Sequence, residues 1–170
     1  MSAEPQAAGE SRYARLRRYL KRSDLPAFRA LLAETRMFSH AEIEVAAELV
    51  DESLERGSDS DYRFTVAESA GEVIGYACFG PIPCTVASYD LYWIAVCPSK
   101  QRSGVGRQLL DDVEQQIADY GGARVYVDTS GRDAYIPTRA FYERNGYVQA
   151  AVLPHFYAPN DAKITYVKCL

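Results

Sequence analysis

A run with the look of a β-strand, Leu91-Tyr92-Trp93-Ile94-Ala95-Val96, leads into Gln101-Arg102-Ser103-Gly104-Val105-Gly106, and Arg107-Gln108-Leu109-Leu110-Asp111-Asp112-Val113 then opens a helix. No other segment constrains the chain as much. Two glycines at this spacing let the backbone turn tightly and present bare N–H groups, and the first amides of a helix have no intrahelical acceptor. Together those amides carry about half a positive charge, which suits a phosphate or diphosphate. Arg102 and Arg107 add full charges beside them. The segment from Gln101 through Arg102, Ser103, Gly104, Val105 and Gly106 to Arg107 is therefore read as an anion cradle.

Spacing separates three kinds of phosphate loop. A nucleoside-triphosphate loop needs GxxxxGK[ST], and no Lys-Ser or Lys-Thr follows these glycines. A dinucleotide fingerprint needs a third glycine where Leu109 stands, and it opens a chain's first strand–helix unit rather than one past the middle. What remains is [Gln/Arg]-x-x-Gly-x-[Gly/Ala] after a strand, and in this the chain resembles the GNAT superfamily of acyl-CoA N-acyltransferases. A second segment carries the same resemblance: Pro137-Thr138-Arg139-Ala140-Phe141-Tyr142-Glu143-Arg144-Asn145-Gly146-Tyr147, a short helix bearing Phe-Tyr and ending in Asn-Gly-aromatic. Order and separation of the two segments fit the family, and together they cover roughly the C-terminal half. The resemblance implies an α+β fold. Its sheet is twisted and mostly antiparallel, with six to seven strands, about four flanking helices and a splay between the fourth and fifth strands.

Bulk properties fit one domain. The chain has 170 residues, a length at which folding buries roughly 70% of the unfolded surface. Residues 1–11, rich in Ala, Glu, Gln and Gly, read as a mobile tail, and 12–170 as a single domain. A net charge of −4 argues against a nucleic-acid partner. Cys78, Cys84, Cys97 and Cys169 form no CxxC pair, so reduced thiols in a cytoplasmic protein are expected. No stretch is long and apolar enough to cross a bilayer, and no basic-then-apolar signal pattern opens the sequence.

Along the chain, Tyr13 to Leu20 reads as an edge strand anchored by Leu16 and Leu20, with solvated arginines. Ser23-Asp24-Leu25-Pro26 reads as a helix start with a side-chain cap. A second helix begins near Ser39 or His40, spaces Ile43, Ala46, Ala47, Val50 and Leu54 along one face, and ends at Arg56-Gly57. Tyr62 to Ala67 and Val73 to Phe79 form a hairpin around Ser69-Ala70-Gly71-Glu72, broken at Gly80-Pro81. Asp90 to Val96 is the strand before the cradle. The cradle helix ends near Tyr120-Gly121-Gly122, and Arg124 to Thr129, Tyr147 to Leu153 and Lys163 to Cys169 complete the sheet.

The resemblance also assigns roles. The pantetheine arm of acetyl-CoA would pair with the fourth strand at Ile94, Ala95 and Val96, near Trp93 to Cys97, where backbone amides polarise the thioester carbonyl. Trp93 is expected in the core, on the alternate face from Asp90, Tyr92 and Ile94. Asp90 is the leading general base, through a water because aspartate is shorter than the family's usual glutamate, and Asp128 is the second candidate. Tyr142 falls where the family places a tyrosine that donates to the departing thiolate, and Asn145 and Arg139 fall near the cofactor. The acceptor is expected between Phe38, His40 and Glu42 on one side and His155, Phe156, Tyr157 and Asp161 on the other, with Pro154 to Asp161 as a loop. No metal site is expected.

The chemistry implied is attack of a neutral primary amine, from a small molecule, amino acid or peptide terminus, on acetyl-CoA in a ternary complex. A lysine-like amine with pKa about 10.4 loses its proton at pH 7 at a cost of roughly 4–5 kcal/mol, an α-amine at little more than about 1. A general base therefore matters most for the first. The alternative is a non-catalytic acyl-CoA-binding or sensing module, and monomer and homodimer both remain open.

Overall fold

The computed structural model describes residues 14–170. The expected tail at 1–11 lies outside the described residues. The elements are β1 (Arg15–Arg17), α1 (Asp24–Thr35), α2 (His40–Arg56), β2 (Arg63–Ser69), β3 (Glu72–Pro81), β4 (Ser88–Val96), α3 (Val105–Asp119), β5 (Arg124–Ser130), α4 (Ile136–Arg144), β6 (Val148–Ala158) and β7 (Asp161–Cys169). They build a seven-stranded sheet in the order β1-β2-β3-β4-β5-β7-β6. Every neighbouring pair is antiparallel except β4 and β5.

Each face of the sheet carries a helical layer. Leu109, Leu110, Val113 and Ile117, a stripe along α3, pack with Tyr142 of α4 on Ala77, Phe79, Leu91, Val125 and Val127. On the other face, Phe28, Leu31 and Leu32 of α1 and Ala46 and Val50 of α2 cover Phe64, Val66, Tyr76 and Cys78. Phe28 stacks on Tyr76 with ring centroids 4.0 Å apart. The two-residue alternation of β2 and β3 explains the division, since successive side chains feed opposite layers. Burying each large apolar side chain contributes about 1.5–3 kcal/mol.

Helix boundaries follow local chemistry. Ser39 caps α2: its side chain accepts from Glu42 N–H while the Glu42 carboxylate accepts from Ser39 N–H. At α1 the expected cap is absent, because Ser23 has helical backbone angles and makes no cap bond. Asp24, the first residue of the helix, instead ties the preceding turn to β1, accepting from Lys21 N–H at 2.6 Å and from Arg17. That pairing also corrects the reading of β1. It is an edge strand, but Arg17 is buried rather than solvated, with its guanidinium between Asp24 and Glu68.

Two strands are longer than the sequence suggests. β3 runs on through Gly80 to Pro81, and β6 continues past Pro154 to Ala158, so most of the expected Pro154 to Asp161 loop is hairpin. The last pair of that hairpin is Ala158↔Asp161, closed by Asn160 at φ 65°.

The centre of the sheet carries two irregularities that place the site. β4 and β5 pair only at Ser88↔Arg124, Tyr89↔Val125 and Asp90↔Tyr126, after which the strands part. Across β3, Cys78 faces Trp93 but Phe79 faces Leu91, so Tyr92 is an extra residue in β4. This bulge overturns the expected alternation. Tyr92 and Trp93 both pack toward the α1/α2 layer, whereas Leu91, Ile94 and Val96 pack toward α3 and α4.

Candidate active site

The start of α3 is open in a way that the start of α2 is not. Its cap residue is Gly104, at φ 95°, with no side-chain cap and no acidic residue in the first turn. The first intrahelical bond runs from Gln108 N–H to Gly104 C=O, at 3.0 Å. The amides of Val105, Gly106 and Arg107 therefore lack intrahelical acceptors and point out of the helix end. A glycine cap also removes the side chain that elsewhere competes for such amides.

These amides face a groove of about 620 Å³ between β4, the cradle and α4, within the ordinary range of ligand sites. Ile94, Val96, Gln101, Arg102, Gly104, Gly106, Arg107, Tyr142 and Asn145 all line it. A Cβ placed on Gly106 would sit 3.6 Å from the Phe141 ring, so any longer side chain there grows into the groove.

The remaining expected cradle and arm residues are placed differently. Val105 is core and Ser103 Oγ donates to Lys100 C=O, so these two offer backbone alone. Ala95 is a correction. Cys97 N–H donates to Ile74 C=O at 2.9 Å, which fixes the alternation of the β3–β4 ladder: Ala95 bonds to Tyr76, while the N–H and C=O of Ile94 and Val96 point into the gap beside β5. The Ala95 side chain is buried under α1, on the far face. Gln101 Nε2 donating to Val96 C=O at 3.2 Å agrees with that alternation.

Charge in the groove is also redistributed. Arg107 Nε–H pairs with Asp111 at 2.6 Å, so its charge is largely compensated. Arg144, on α4, lines the groove and was missed from sequence, although it stands one residue before the signature Asn145. Arg139 is another correction: its guanidinium donates to Ser130 C=O and Arg132 C=O, and it holds the loop before α4 rather than facing the groove. Asn145 lines the groove while its Nδ2 donates to Phe141 C=O at 2.7 Å.

Tyr142 is buried at the inner end of the groove against Phe141, Tyr147 and Tyr166. Burial pushes its phenol well above the ordinary value, so it holds its proton at neutral pH. Asp90 is on the other face of the sheet. Leu91 belongs to the α3/α4 layer, and Asp90, one residue earlier, points the opposite way. Asp90 and Tyr142 are thus not side by side in one cleft; they flank the β4–β5 gap from opposite faces. Partial burial lifts the Asp90 carboxyl above its usual range, Asp128 repulsion adds to this, and Lys163 opposes it. Asp128 itself is exposed and occupied, accepting from Thr165 Oγ1 and paired with Lys163, both at 2.6 Å.

The residues expected around the acceptor share the Asp90 face. Phe38 packs against Trp93 with centroids 6.4 Å apart, and the Tyr157 phenol is pushed up to about 12, first by partial burial and then by the charges of Asp128, Asp161 and Glu42. His40 is largely exposed near Glu44, and His155 Nδ1 accepts from Asn160 N–H inside the hairpin. Asp161 is held by Ser130 and Arg132. Among the described residues no group of three His, Cys, Asp or Glu is arranged to hold a metal ion, and no helix is long and apolar enough to cross a membrane.

Comparison with known proteins agrees with this architecture. A GNAT-family protein of known structure from Desulfovibrio desulfuricans is 43% identical and superposes with a TM-score of 0.89 over 92% of this chain and 98% of that one. An aminoglycoside 6'-N-acetyltransferase solved with coenzyme A shares the fold at 19% identity and a TM-score of 0.72, over 91% of this chain and 96% of that one. The uncharacterized N-acetyltransferase YuaI of Bacillus subtilis is 35% identical over 66 residues, which span 38% of each protein. Residues 60–149, just over half of the chain, match the family model for the acetyltransferase (GNAT) domain. The chain belongs to the GNAT acetyltransferase family.

Proposed function

We propose that this protein is an N-acetyltransferase that moves an acetyl group from acetyl-CoA to the primary amine of a small molecule, amino acid or peptide terminus by direct attack in a ternary complex. The observation that carries this is the uncapped start of α3, which opens into a groove ending at the β4–β5 gap, with a carboxylate of raised pKa on the far side. The amides of Val105, Gly106 and Arg107 hold the diphosphate, and Arg102 and Arg144 supply the charge that Arg107 does not. The N–H and C=O groups of Ile94 and the N–H of Val96 pair with the pantetheine arm, the C=O of Val96 being taken by Gln101 Nε2, and a β4 amide at the bulge polarises the thioester carbonyl.

Donor and acceptor then arrive from opposite faces. Asp90 removes the ammonium proton through water, and its raised pKa makes it a stronger base than an ordinary aspartate. Tyr142 donates a hydrogen bond to the departing sulfur. With a phenol pushed far above a thiol near 8.5, that role is donation without full proton transfer. Tyr142→Phe is expected to lower kcat by roughly tenfold, the effect of losing about 1.4 kcal/mol, with little change in CoA affinity by calorimetry.

A base must be deprotonated, so activity falls as pH drops through the Asp90 pKa. Asp128→Asn removes a neighbouring negative charge and lowers that pKa; the acid limb of kcat/KM should move to lower pH. Lys163→Met should move it to higher pH. Limbs unmoved by either change would show that Asp90 is not the group titrating. The proposal as a whole is tested by calorimetry with CoA and by thiol release from acetyl-CoA over an amine panel. Gly106→Leu should weaken CoA binding by at least about tenfold with an unchanged melting temperature. Absence of CoA binding by folded wild-type protein refutes the donor, and binding without stimulated release by any amine supports the non-catalytic alternative.

A further inference from the structure

At its β1 edge the sheet is only partly covered. The β1–β2 ladder ends at Arg17↔Val66, while β2 reaches three residues further, through Thr65 and Phe64 to Arg63. Which backbone groups this uncovers follows from the alternation of β3. Tyr76 bonds to Ala95 of β4, so Ala77 and Phe79 turn their N–H and C=O toward β2, where they meet Thr65 and Arg63. Phe64, between those two, points its N–H and C=O off the edge. Continued in register, β1 would bring Tyr19 opposite Phe64, but the chain bends after Arg17 and Tyr19 C=O accepts from Arg17 instead. Phe64 is only 4% exposed, and among the described residues nothing pairs with its N–H or C=O on that side. Buried main-chain groups without partners are rare in folded chains.

Both groups open into a cavity of about 750 Å³, which is of ligand size. It is a slot between the two helical layers. Leu54 near the end of α2 and Tyr62 wall it on one face of the sheet, Tyr120 at the end of α3 walls it on the other, and Tyr19 stands at the outer rim. Two arginines line it. Arg18 is held by Asp112 at 2.6 Å, and Asp119 also acts on it. Arg63 lies with its guanidinium 5.3 Å from the Tyr120 ring centroid and donates to Ser60 C=O, and no carboxylate of the described residues pairs with it. An arginine held against an aromatic ring with donors to spare suits a carboxylate. β2, β3 and β4 separate the slot from the β4–β5 gap, so it belongs neither to the donor groove nor to the acceptor side.

We propose that this slot binds a free peptide of two or three residues, which extends the sheet where β1 stops. One peptide residue exchanges both main-chain hydrogen bonds with Phe64, as in an antiparallel ladder. Direction then fixes the charge. A peptide antiparallel to β2 runs from the Thr65 end toward the Arg63 end, so its terminal carboxylate arrives at the guanidinium that has no carboxylate of its own. In the other direction β1 itself blocks the edge at Arg17↔Val66, which limits the length. Alternation sends the side chain opposite Phe64 toward Leu54 and the last side chain toward Tyr120, so both are apolar or aromatic.

The probe is N-acetyl-Leu-Phe, whose blocked amine cannot serve as an acetyl acceptor, so the result stands apart from the proposed reaction. Calorimetry on the full chain should give a Kd below about 1 mM. A carboxamide in place of the terminal carboxylate should weaken binding by about tenfold. Arg63→Gln should bring the two probes to one affinity, with an unchanged melting curve by circular dichroism. Methylating the Leu nitrogen removes the donor to Phe64 C=O and should also cost at least about tenfold. In amide NMR spectra of wild type, bound probe should slow hydrogen exchange at Phe64 N–H and leave Thr65 N–H, already paired with β3, as it was. No saturable binding up to about 5 mM overturns the proposal. Binding that leaves Phe64 N–H exchange unchanged, or a carboxylate preference that survives Arg63→Gln, overturns it as well.

Discussion

Asp90→Asn should lower kcat/KM toward a lysine-like amine by about 10²–10⁴-fold, the usual worth of a positioned general base, while leaving CoA affinity unchanged. The split follows from the sheet. Asp90 projects from the face opposite the groove proposed to hold CoA, so its loss removes nothing that lines that groove. Asparagine keeps the shape and hydrogen-bonding reach but cannot take a proton. The loss should also depend on the acceptor. An amine with pKa about 10.4 needs roughly 4–5 kcal/mol of deprotonation at pH 7 and an α-amine near 8 little more than about 1, so the defect should shrink for α-amines and at alkaline pH. Burial disfavours the Asp90 carboxylate. The same substitution should therefore raise the melting temperature at pH 7, where the native chain holds that charge in partial burial, and the gain should vanish at acidic pH. An Asp90→Asn protein with wild-type turnover of lysine-like amines would remove Asp90 from the mechanism.

The parts of this site that the sequence revealed are those written in consecutive residues. Gln101 to Arg107 declares a glycine-capped helix start through its own composition, and Pro137 to Tyr147 declares the helix that closes the groove. What stayed hidden depends on strand register. Tyr92 is one extra residue opposite β3, and that single insertion reverses the face of Trp93 relative to Tyr92 and separates Asp90 from Tyr142. Alternation counted along β4 has no means of detecting it, because a bulge is set by pairing with another strand. Ala95 was misplaced for the same reason: only the ladder shows which amides face β3 and which face the gap. Side-chain partners were equally invisible. Nothing local to Arg107 or Arg139 shows that Asp111 compensates the first or that the carbonyls of Ser130 and Arg132 occupy the second.

Arg17→Met should destabilise the fold by about 3–5 kcal/mol, the cost of leaving buried charge without its partner. At roughly 2–4 °C per kcal/mol for a chain of this size, that is a loss of about 6–20 °C in Tm. Arg17 and Asp24 side chains are each only 4% exposed, and Glu68 13%. The guanidinium donates to Asp24 at 2.5 Å, to Glu68 at 2.7 Å and to Tyr19 C=O, which ties β1, β2 and the start of α1 together. Desolvation works against the charge, but the hydrogen bonds to Asp24 and Glu68 outweigh it and Arg17 titrates above its usual value. The bond from Arg17 holds the Glu68 carboxyl below the usual range despite some desolvation, with Lys21 assisting. A depressed carboxylate contributes stability above its unfolded pKa and loses it as pH falls through the folded one. The gap between wild type and Arg17→Met should therefore narrow below about pH 4, where glutamate begins to protonate. Arg56, paired with Glu52 on the outer face of α2, is the control, and Arg56→Ala should cost no more than about 0.5 kcal/mol. If the two substitutions prove equally mild, the Arg17 charge is not held in a dry site, and β1 owes its place at the sheet edge to its ladder with β2 instead.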